Sequence, residues 1–260
     1  MLGVRRIYAG LEEKRLVKGR KMEVLRLDKF IANQANFTRS EVKALLKKGR
    51  VNLNGNVVKS PDLKVNPDTD AVLVDGKKIE YKKHLYIMLN KPAGVICATR
   101  DRLSETVLEL LPEDLRRQGL FPAGRLDKDT EGFVLITDDG DLAHKMLSPK
   151  NHVPKRYFVR LEKDLNGNED KLFNEGITLE DGTLCKSAGL EYTENKNECF
   201  AILHEGMFHQ VKRMFEAVDN KVVYLKRVQI GGVELDTSLK SGECRELSDL
   251  EKNLIIFNNF

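Results

Sequence analysis

Hydrophobic positions recur at helical spacing early in the chain and at alternate positions soon after. Leu27, Phe30 and Ile31 make one stripe, and Val42, Leu45 and Leu46 a second. Two short helices are therefore expected over 22–50. The second opens at Thr38 with Glu41 three positions on. That is a capping box, in which hydroxyl and carboxylate each accept a hydrogen bond from an otherwise unpaired backbone N–H. Gly49 ends the helix with a residue free to take positive φ. Val51 and Leu53 then alternate with polar residues. Asn54-Gly55 supplies a type I′ turn, and Val57-Val58 begins a return strand. Another strand is expected over 71–74, closed by Asp75-Gly76, and the Lys-rich stretch 77–84 reads as a linker.

From Leu85 onward the pattern changes to short apolar runs. Strands are expected over 85–90, 132–137, 155–161, 199–204 and 222–228, and helices over 141–147 and 207–218. In the second helix Phe208, Val211 and Phe215 repeat at helical spacing and are expected to face the core. Many strands with few helices, and turns at Asp139-Gly140 and Asp181-Gly182, predict an α+β fold with a largely antiparallel sheet. No GxGxxG or GxxxxGK[ST] occurs, so dinucleotide and P-loop chemistry have no support.

Composition narrows the class. The 260 residues are 41% apolar and 32% charged, enough to bury a core and too apolar for global disorder. No run approaches the roughly 20 apolar residues of a membrane span, and the N-terminus lacks a signal-like apolar segment. Four widely spaced cysteines without a CxxC pair argue against zinc, redox and disulfide scaffolds and fit a reducing cytosol. His152 and His204 have no carboxylate or Cys at metal-ligand spacing, so no metal is expected. The net charge of +4 conceals an asymmetry. Residues 1–83 carry 20 Lys+Arg against 10 Asp+Glu, and the remainder 24 against 30. A basic front module suggests a polyanionic partner. Arg39, Lys43 and Lys47, four apart on the second helix, are its clearest stripe, though such a row is also what a solvated face looks like. Residues 1–21 are basic without apolar period, either a flexible extension or upstream of a start at Met22.

Three segments could carry chemistry. Gly124-Arg125-Leu126-Asp127-Lys128-Asp129-Thr130-Glu131-Gly132 is a polar loop feeding the apolar run 133–136. Such loops place side chains at the rim of a rigid sheet. Arg125 and Asp127, two apart, point the same way in extended geometry, and a guanidinium there would hold the carboxylate ionised. Leu89-Asn90-Lys91-Pro92-Ala93-Gly94 is a second loop, whose Lys91 could meet phosphate. The third runs from Glu205 through Gly206-Met207-Phe208-His209-Gln210-Val211-Lys212-Arg213 to Met214, with polar groups expected in the first helical turns. Each alone is also what a turn or an ordinary amphipathic helix looks like.

Taken together and in order, the three segments resemble the RNA pseudouridine synthases of the ribosomal small subunit pseudouridine synthase A family. The pattern Arg26-Leu27-Asp28-Lys29-Phe30-Ile31, then Thr38-Arg39-Ser40-Glu41 and Gly49-Arg50-Val51, resembles the αL RNA-binding domain. The resemblance covers residues 22–255. It implies an αL-type domain over 22–81 and a catalytic domain over 84–260 with the pseudouridine synthase fold, a mostly antiparallel mixed sheet. It implies an isomerase that detaches uracil from ribose, rotates it and rejoins it through carbon 5, with no metal and no cofactor. Asp127 would act at the sugar, either by attacking the anomeric carbon or by removing the 2′ proton. The target base must leave the helical stack to reach it. Arg125 would fill the vacated space or pair with Asp127 before RNA binds. Tyr157 would stack on the flipped uracil, and Leu225 would supply an apolar wall. Lys212 would pair with Asp127, with Arg213 as the alternative. Gln210, Arg213 and Lys91 would contact RNA near the site, and Arg26, Arg39, Lys43 and Lys47 would anchor phosphates. Thr137-Asp138-Asp139-Gly140 and Ser148-Pro149 resemble the small-subunit class. The expected substrate is therefore one uridine in the 5′ domain of 16S rRNA, the equivalent of uridine 516, in free RNA or an assembling small subunit. The enzyme is expected to act in the cytoplasm as a monomer, away from membranes. The alternatives are the same chemistry on 23S rRNA, or a noncatalytic rRNA-binding assembly factor.

Overall fold

The computed structural model describes residues 24–148, 150–151 and 153–256. The stretch 1–21, Met22, Pro149 and His152 lie outside the described residues. The chain divides into two compact units between Lys82 and Lys83.

The first unit begins with β1 (Leu25–Arg26), α1 (Leu27–Gln34) and α2 (Arg39–Lys47). Both halves of the capping box form. Thr38 Oγ1 accepts from the Glu41 N–H at 3.2 Å, and the Glu41 carboxylate accepts from the Thr38 N–H at 2.7 Å. The two predicted apolar stripes are buried throughout. β2 (Val51–Leu53), β3 (Asn56–Val57), β4 (Lys64–Val65), β5 (Val72–Val74) and β6 (Lys77–Lys78) follow. Four of them make a sheet in the order β3-β2-β5-β6, and β4 pairs with β1. Asn54 and Gly55 take φ +52° and +86°, and Asp75 and Gly76 +51° and +76°, the paired positive values of type I′ turns.

The linker expected over 77–84 is corrected here. β6 pairs with β5, and the Ile79 N–H donates to Val72 O at 2.8 Å. Tyr81 stacks on Phe30 with ring centroids 6.0 Å apart. Exposed lysines on an edge strand discourage edge-to-edge pairing, and that composition conceals the strand beneath them.

The second unit contains β7 (Tyr86–Lys91), β8 (Phe121–Ala123), β9 (Glu131–Thr137), α3 (Gly140–Leu147), β10 (Lys155–Leu161), α4 (Glu169–Glu175), β11 (Gly189–Tyr192), β12 (Glu198–Leu203), α5 (Gln210–Glu216), β13 (Val222–Ile230), β14 (Val233–Glu234), β15 (Cys244–Glu246) and α6 (Asp249–Leu254). Its nine-stranded sheet runs β11-β12-β10-β13-β9-β7-β15, with β14 on β13 and β8 on β9. Only the β13–β9 pairing is parallel among the described strands. The fold is α+β, as expected.

β7 and β9 read as nearly continuous apolar runs because both of their faces are covered. Ile87, Leu89, Val134 and Ile136 enter one layer, with Phe173 of α4 and Val211, Met214 and Phe215 of α5. Met88, Phe133 and Leu135 enter the other, with Ala143 and Met146 of α3. Gly132 fixes the parallel junction. Its φ is +100°, and a Cβ there would lie 2.3 Å from Arg227 O, so only glycine lets the two backbones approach.

The helix expected over 207–218 begins at Gln210. Val211 and Phe215 are buried as predicted, but Phe208 is 74% exposed. His209 ahead of the helix is left-handed, with φ +49° and ψ +32°, and that breaks the helical phase linking Phe208 to the core face.

Candidate active site

The loop 124–130 leads into β9, the most buried strand of the sheet, and two buried cations tie its backbone down. Arg227 of β13, 1% exposed, donates from Nη2 to Gly124 O and from Nε to Phe133 O, each at 2.7 Å. Lys91 at the end of β7 is fully buried and donates from Nζ to Thr130 O at 2.7 Å, Pro92 O at 3.0 Å and Lys128 O at 3.2 Å. The Gly94 N–H also donates to Lys128 O, at 2.7 Å. Burial pushes the Lys91 ammonium below its usual pKa. Between these clamps Leu126 turns inward and Asp127 outward, its side chain 28% exposed.

Asp127 faces an imidazole and an ammonium from the segment opening α5. His209 Nε2 lies 3.5 Å from Oδ1 and Lys212 Nζ 3.6 Å from Oδ2. Lys212 makes its hydrogen bonds elsewhere, to both oxygens of Asp129 at 2.7 Å. This bond holds the Asp129 carboxyl below its usual range. Lys212 therefore bridges two carboxylates, and the tighter partner is not Asp127.

Beside Asp127 lies a hollow of about 90 Å³ whose walls include Arg125, Thr130, Tyr157, Leu203 and Leu225. Tyr157 and Leu225 are 9% and 6% exposed. They reach the hollow from adjacent strands, β10 and β13, where the register shifts between Arg156 and Tyr157. Such bulges re-aim side chains beside active sites. The Tyr157 hydroxyl has no hydrogen-bond partner among the described residues. A larger hollow of about 550 Å³, lined by Asp181, Arg213 and Glu216, contains no comparable set of carboxylate, aromatic ring and apolar wall. The smaller one holds that set.

A family model described as RNA pseudouridylate synthase matches residues 85–217, which hold all three sequence segments and every named wall of this hollow except Leu225. The chain is 46% identical to an uncharacterized RNA pseudouridine synthase of Bacillus subtilis, over 89% of this chain and 98% of that protein. The chain belongs to the RNA pseudouridylate synthase family. It is an RNA isomerase, and its first unit is an RNA-binding S4 domain, matched over residues 25–70. This synthase is also 41% identical to ribosomal small subunit pseudouridine synthase A of Escherichia coli K12, over 87% of this chain and 98% of the relative. A crystal structure of a pseudouridylate synthase superposes with a TM-score of 0.63 at 39% identity, covering 89% of this chain and 99% of that one.

The structure brings Asp127, Tyr157, Leu225 and Arg125 to one hollow, and Lys212 stands alongside. Several expectations need correction. Arg125 does not pair with Asp127. It is exposed at the rim without a partner among the described residues. Lys91 cannot meet RNA, because its ammonium is enclosed by three carbonyls of the loop it supports. Arg213 is no alternative to Lys212. It donates to Asp181 at 2.6 Å, and Asp181 is drawn down to about 2, chiefly by hydrogen bonds from Thr183. Gln210 lines the hollow, but its amide is taken up by Glu205 at 2.6 Å and the Met207 N–H at 3.0 Å.

In the S4 domain Arg26 is held bidentate by Asp28 at 3.0 and 3.1 Å, so it orders the start of α1 rather than standing free. Arg39, Lys43 and Lys47 are exposed on α2 with no ion pair among the described residues. Sequence reasoning missed Arg227, Asp129 and the approach of His209 to Asp127. Arg227 sits at an inward position of an alternating strand, but nothing local marks a buried cation whose acceptor is 103 residues away.

Proposed function

We propose that this enzyme converts one uridine of small-subunit ribosomal RNA, the equivalent of uridine 516 of 16S rRNA, to pseudouridine, with Asp127 acting at the sugar. One observation carries the chemistry. The Asp127 carboxylate borders a hollow walled by an aromatic ring and an aliphatic side chain, on a loop braced by two buried cations.

An extruded uracil fits between the Tyr157 ring and Leu225, since a base offers a flat π face to any aromatic. Its ribose then lies against Asp127. Attack on the anomeric carbon or removal of the 2′ proton both start from this carboxylate, and both break the N1–C1′ bond. The freed uracil rotates between the two walls, and carbon 5 bonds to C1′. The proton leaving carbon 5 balances the one gained at N1, so no net group is lost. Lys212 offsets the charge of Asp127 at 3.6 Å while Asp129 holds the ammonium in place. A closed Lys212–Asp127 hydrogen bond would occupy the oxygen that has to act. Arg125, exposed and unpaired, is free to enter the gap left in the RNA stack.

The substrate reading rests on relatives. Those of Yersinia pestis and Escherichia coli K12, at 42% and 41% identity, bear the name ribosomal small subunit pseudouridine synthase A. Arg39, Lys43 and Lys47 of the S4 domain anchor backbone phosphates, which adds affinity without base selection. The enzyme works as a monomer in the cytoplasm, on free 16S rRNA or on an assembling small subunit.

The test is tritium release from 16S rRNA labelled at uridine carbon 5, with pseudouridine mapping in cells lacking the chain. Asp127→Asn should abolish release without lowering RNA affinity, and one 16S pseudouridine should disappear from the deletion strain. Undiminished release by Asp127→Asn refutes the chemistry. Loss of a 23S pseudouridine instead refutes only the substrate.

A further inference from the structure

Phe208 departs from the helical pattern at the rim of the active site. Three-quarters of its surface meets solvent, although burying a phenyl ring is favourable. Its inner face is used. The ring stacks on His209 with centroids 3.8 Å apart and planes 18° from parallel. This stack of neighbouring residues coincides with the left-handed backbone of His209, a conformation uncommon for any residue but glycine. Strained backbone of this kind clusters at functional sites.

The stack adjoins the chemistry: His209 Nε2 is 3.5 Å from Asp127, and the Phe208 ring covers one face of that same imidazole. The spacing of 3.8 Å is close to the rise of about 3.4 Å between stacked bases. The outer face of the phenyl is open and has no hydrogen-bonding group.

We infer that this outer face receives the nucleobase next to the target uridine, making Phe208 a substrate-positioning residue. The inference rests on the proposed role of Asp127. Extruding a uridine leaves its neighbour without a stacking partner, and the phenyl supplies one in continuation of the His209 stack. A protein partner in this place would block the ribose from Asp127, so the occupant is the substrate RNA itself. A ring without polar atoms accepts any base. Phe208 therefore sets the register of the strand, while sequence is read elsewhere.

The experiment uses the full-length enzyme and a 16S fragment with 2-aminopurine placed in turn on each side of the target uridine. Complexes are formed in the Asp127→Asn background so that the RNA is not turned over. With Phe208 present, aminopurine at one flanking position should stay quenched. Adding Phe208→Leu should raise its fluorescence about twofold or more. In the active enzyme Phe208→Leu should lower kcat/KM by ~5–100-fold, the range of one lost base–aromatic stack. Its Tm should not change, because the ring is exposed. Phe208→Tyr keeps the ring and should restore both readouts. Fluorescence and kcat/KM unchanged by Phe208→Leu would overturn the inference, as would an equal loss in Phe208→Tyr. Persistent activity of Asp127→Asn alone would instead remove the reading of Asp127, so the two failures are distinguishable.

Discussion

Replacing Lys91 by Met keeps most of the stem's packing and removes the ammonium that holds the loop carrying Asp127. Three carbonyls lose a donor, those of Thr130, Pro92 and Lys128. Lys128 O keeps the Gly94 N–H, so two of the three, Thr130 O and Pro92 O, are left without a donor among the described residues. A buried acceptor stripped of its donor costs about 1–3 kcal/mol. Part of this is offset, because the ammonium was itself disfavoured by burial. A net destabilisation of about 2–4 kcal/mol follows. For a unit of this size each kcal/mol is about 2–4 °C in Tm, so the transition of the second unit should fall by roughly 4–16 °C. The loop itself should loosen, and about 1 Å of misplacement at Asp127 costs about 100-fold in rate. Calorimetry and single-turnover tritium release, the latter well below both transitions, measure the two effects separately. A Lys91→Met enzyme with unchanged Tm and unchanged rate would refute the assignment of Lys91 as a clamp. A lowered Tm with an unchanged rate would leave it a stabilising residue and no more.

Other outcomes follow from the same structure. Lys155 is 6% exposed and among the described residues donates only to Val153 O, at 3.0 Å, and burial, with Arg227 nearby, brings it from 10.5 to about 8. Between those values the unfolded chain binds the extra proton, so this group's contribution to stability rises with pH from about 8 to 10.5. Below pH 8 the forced charge costs about 3 kcal/mol. Allowing for the lost hydrogen bond, Lys155→Met should gain about 1–2 kcal/mol at neutral pH and flatten that rise, as urea unfolding at two pH values will show. Gly132→Ala should cost at least about 3 kcal/mol, since its Cβ would meet Arg227 O at 2.3 Å; a folded variant of normal Tm would contradict the geometry. Changing Arg39, Lys43 and Lys47 together to Ala should weaken RNA binding and reduce the slope of log K against log salt by about 2–3. An unchanged slope would make the α2 stripe merely a solvated face.

Most of the elements were legible in the chain because their causes are local. The stripes of α1 and α2, the Thr38–Glu41 box and the two turns with paired positive φ each depend on residues within a few positions of one another. β7, β9, β10, β12 and β13 announced themselves through apolar runs or alternation. β8 did not, because Pro122 argues against a strand and is tolerated there on a short segment paired on one side only, with β9. α4 did not either. It buries only Glu169 and Phe173, and Glu169 does so by accepting the Asn166 and Gly167 N–H groups at 3.0 and 3.1 Å.

The ordered motifs of the sequence determined the family, the carboxylate at 127 and the residues gathered around it. Tertiary structure decided what each polar group does there. Lys91 and Phe208 changed places relative to expectation, the cation going inside and the phenyl outside. Periodicity reports which face of an element is covered, and a charge reads as exposed unless acceptors are seen to surround it. Apart from the adjacent Pro92 O, the acceptors of Lys91 and Arg227 come from segments 37 to 103 residues away. Only the folded sheet brings those carbonyls to the ammonium and guanidinium. Only the left-handed turn at His209 carries Phe208 away from the core its spacing pointed to.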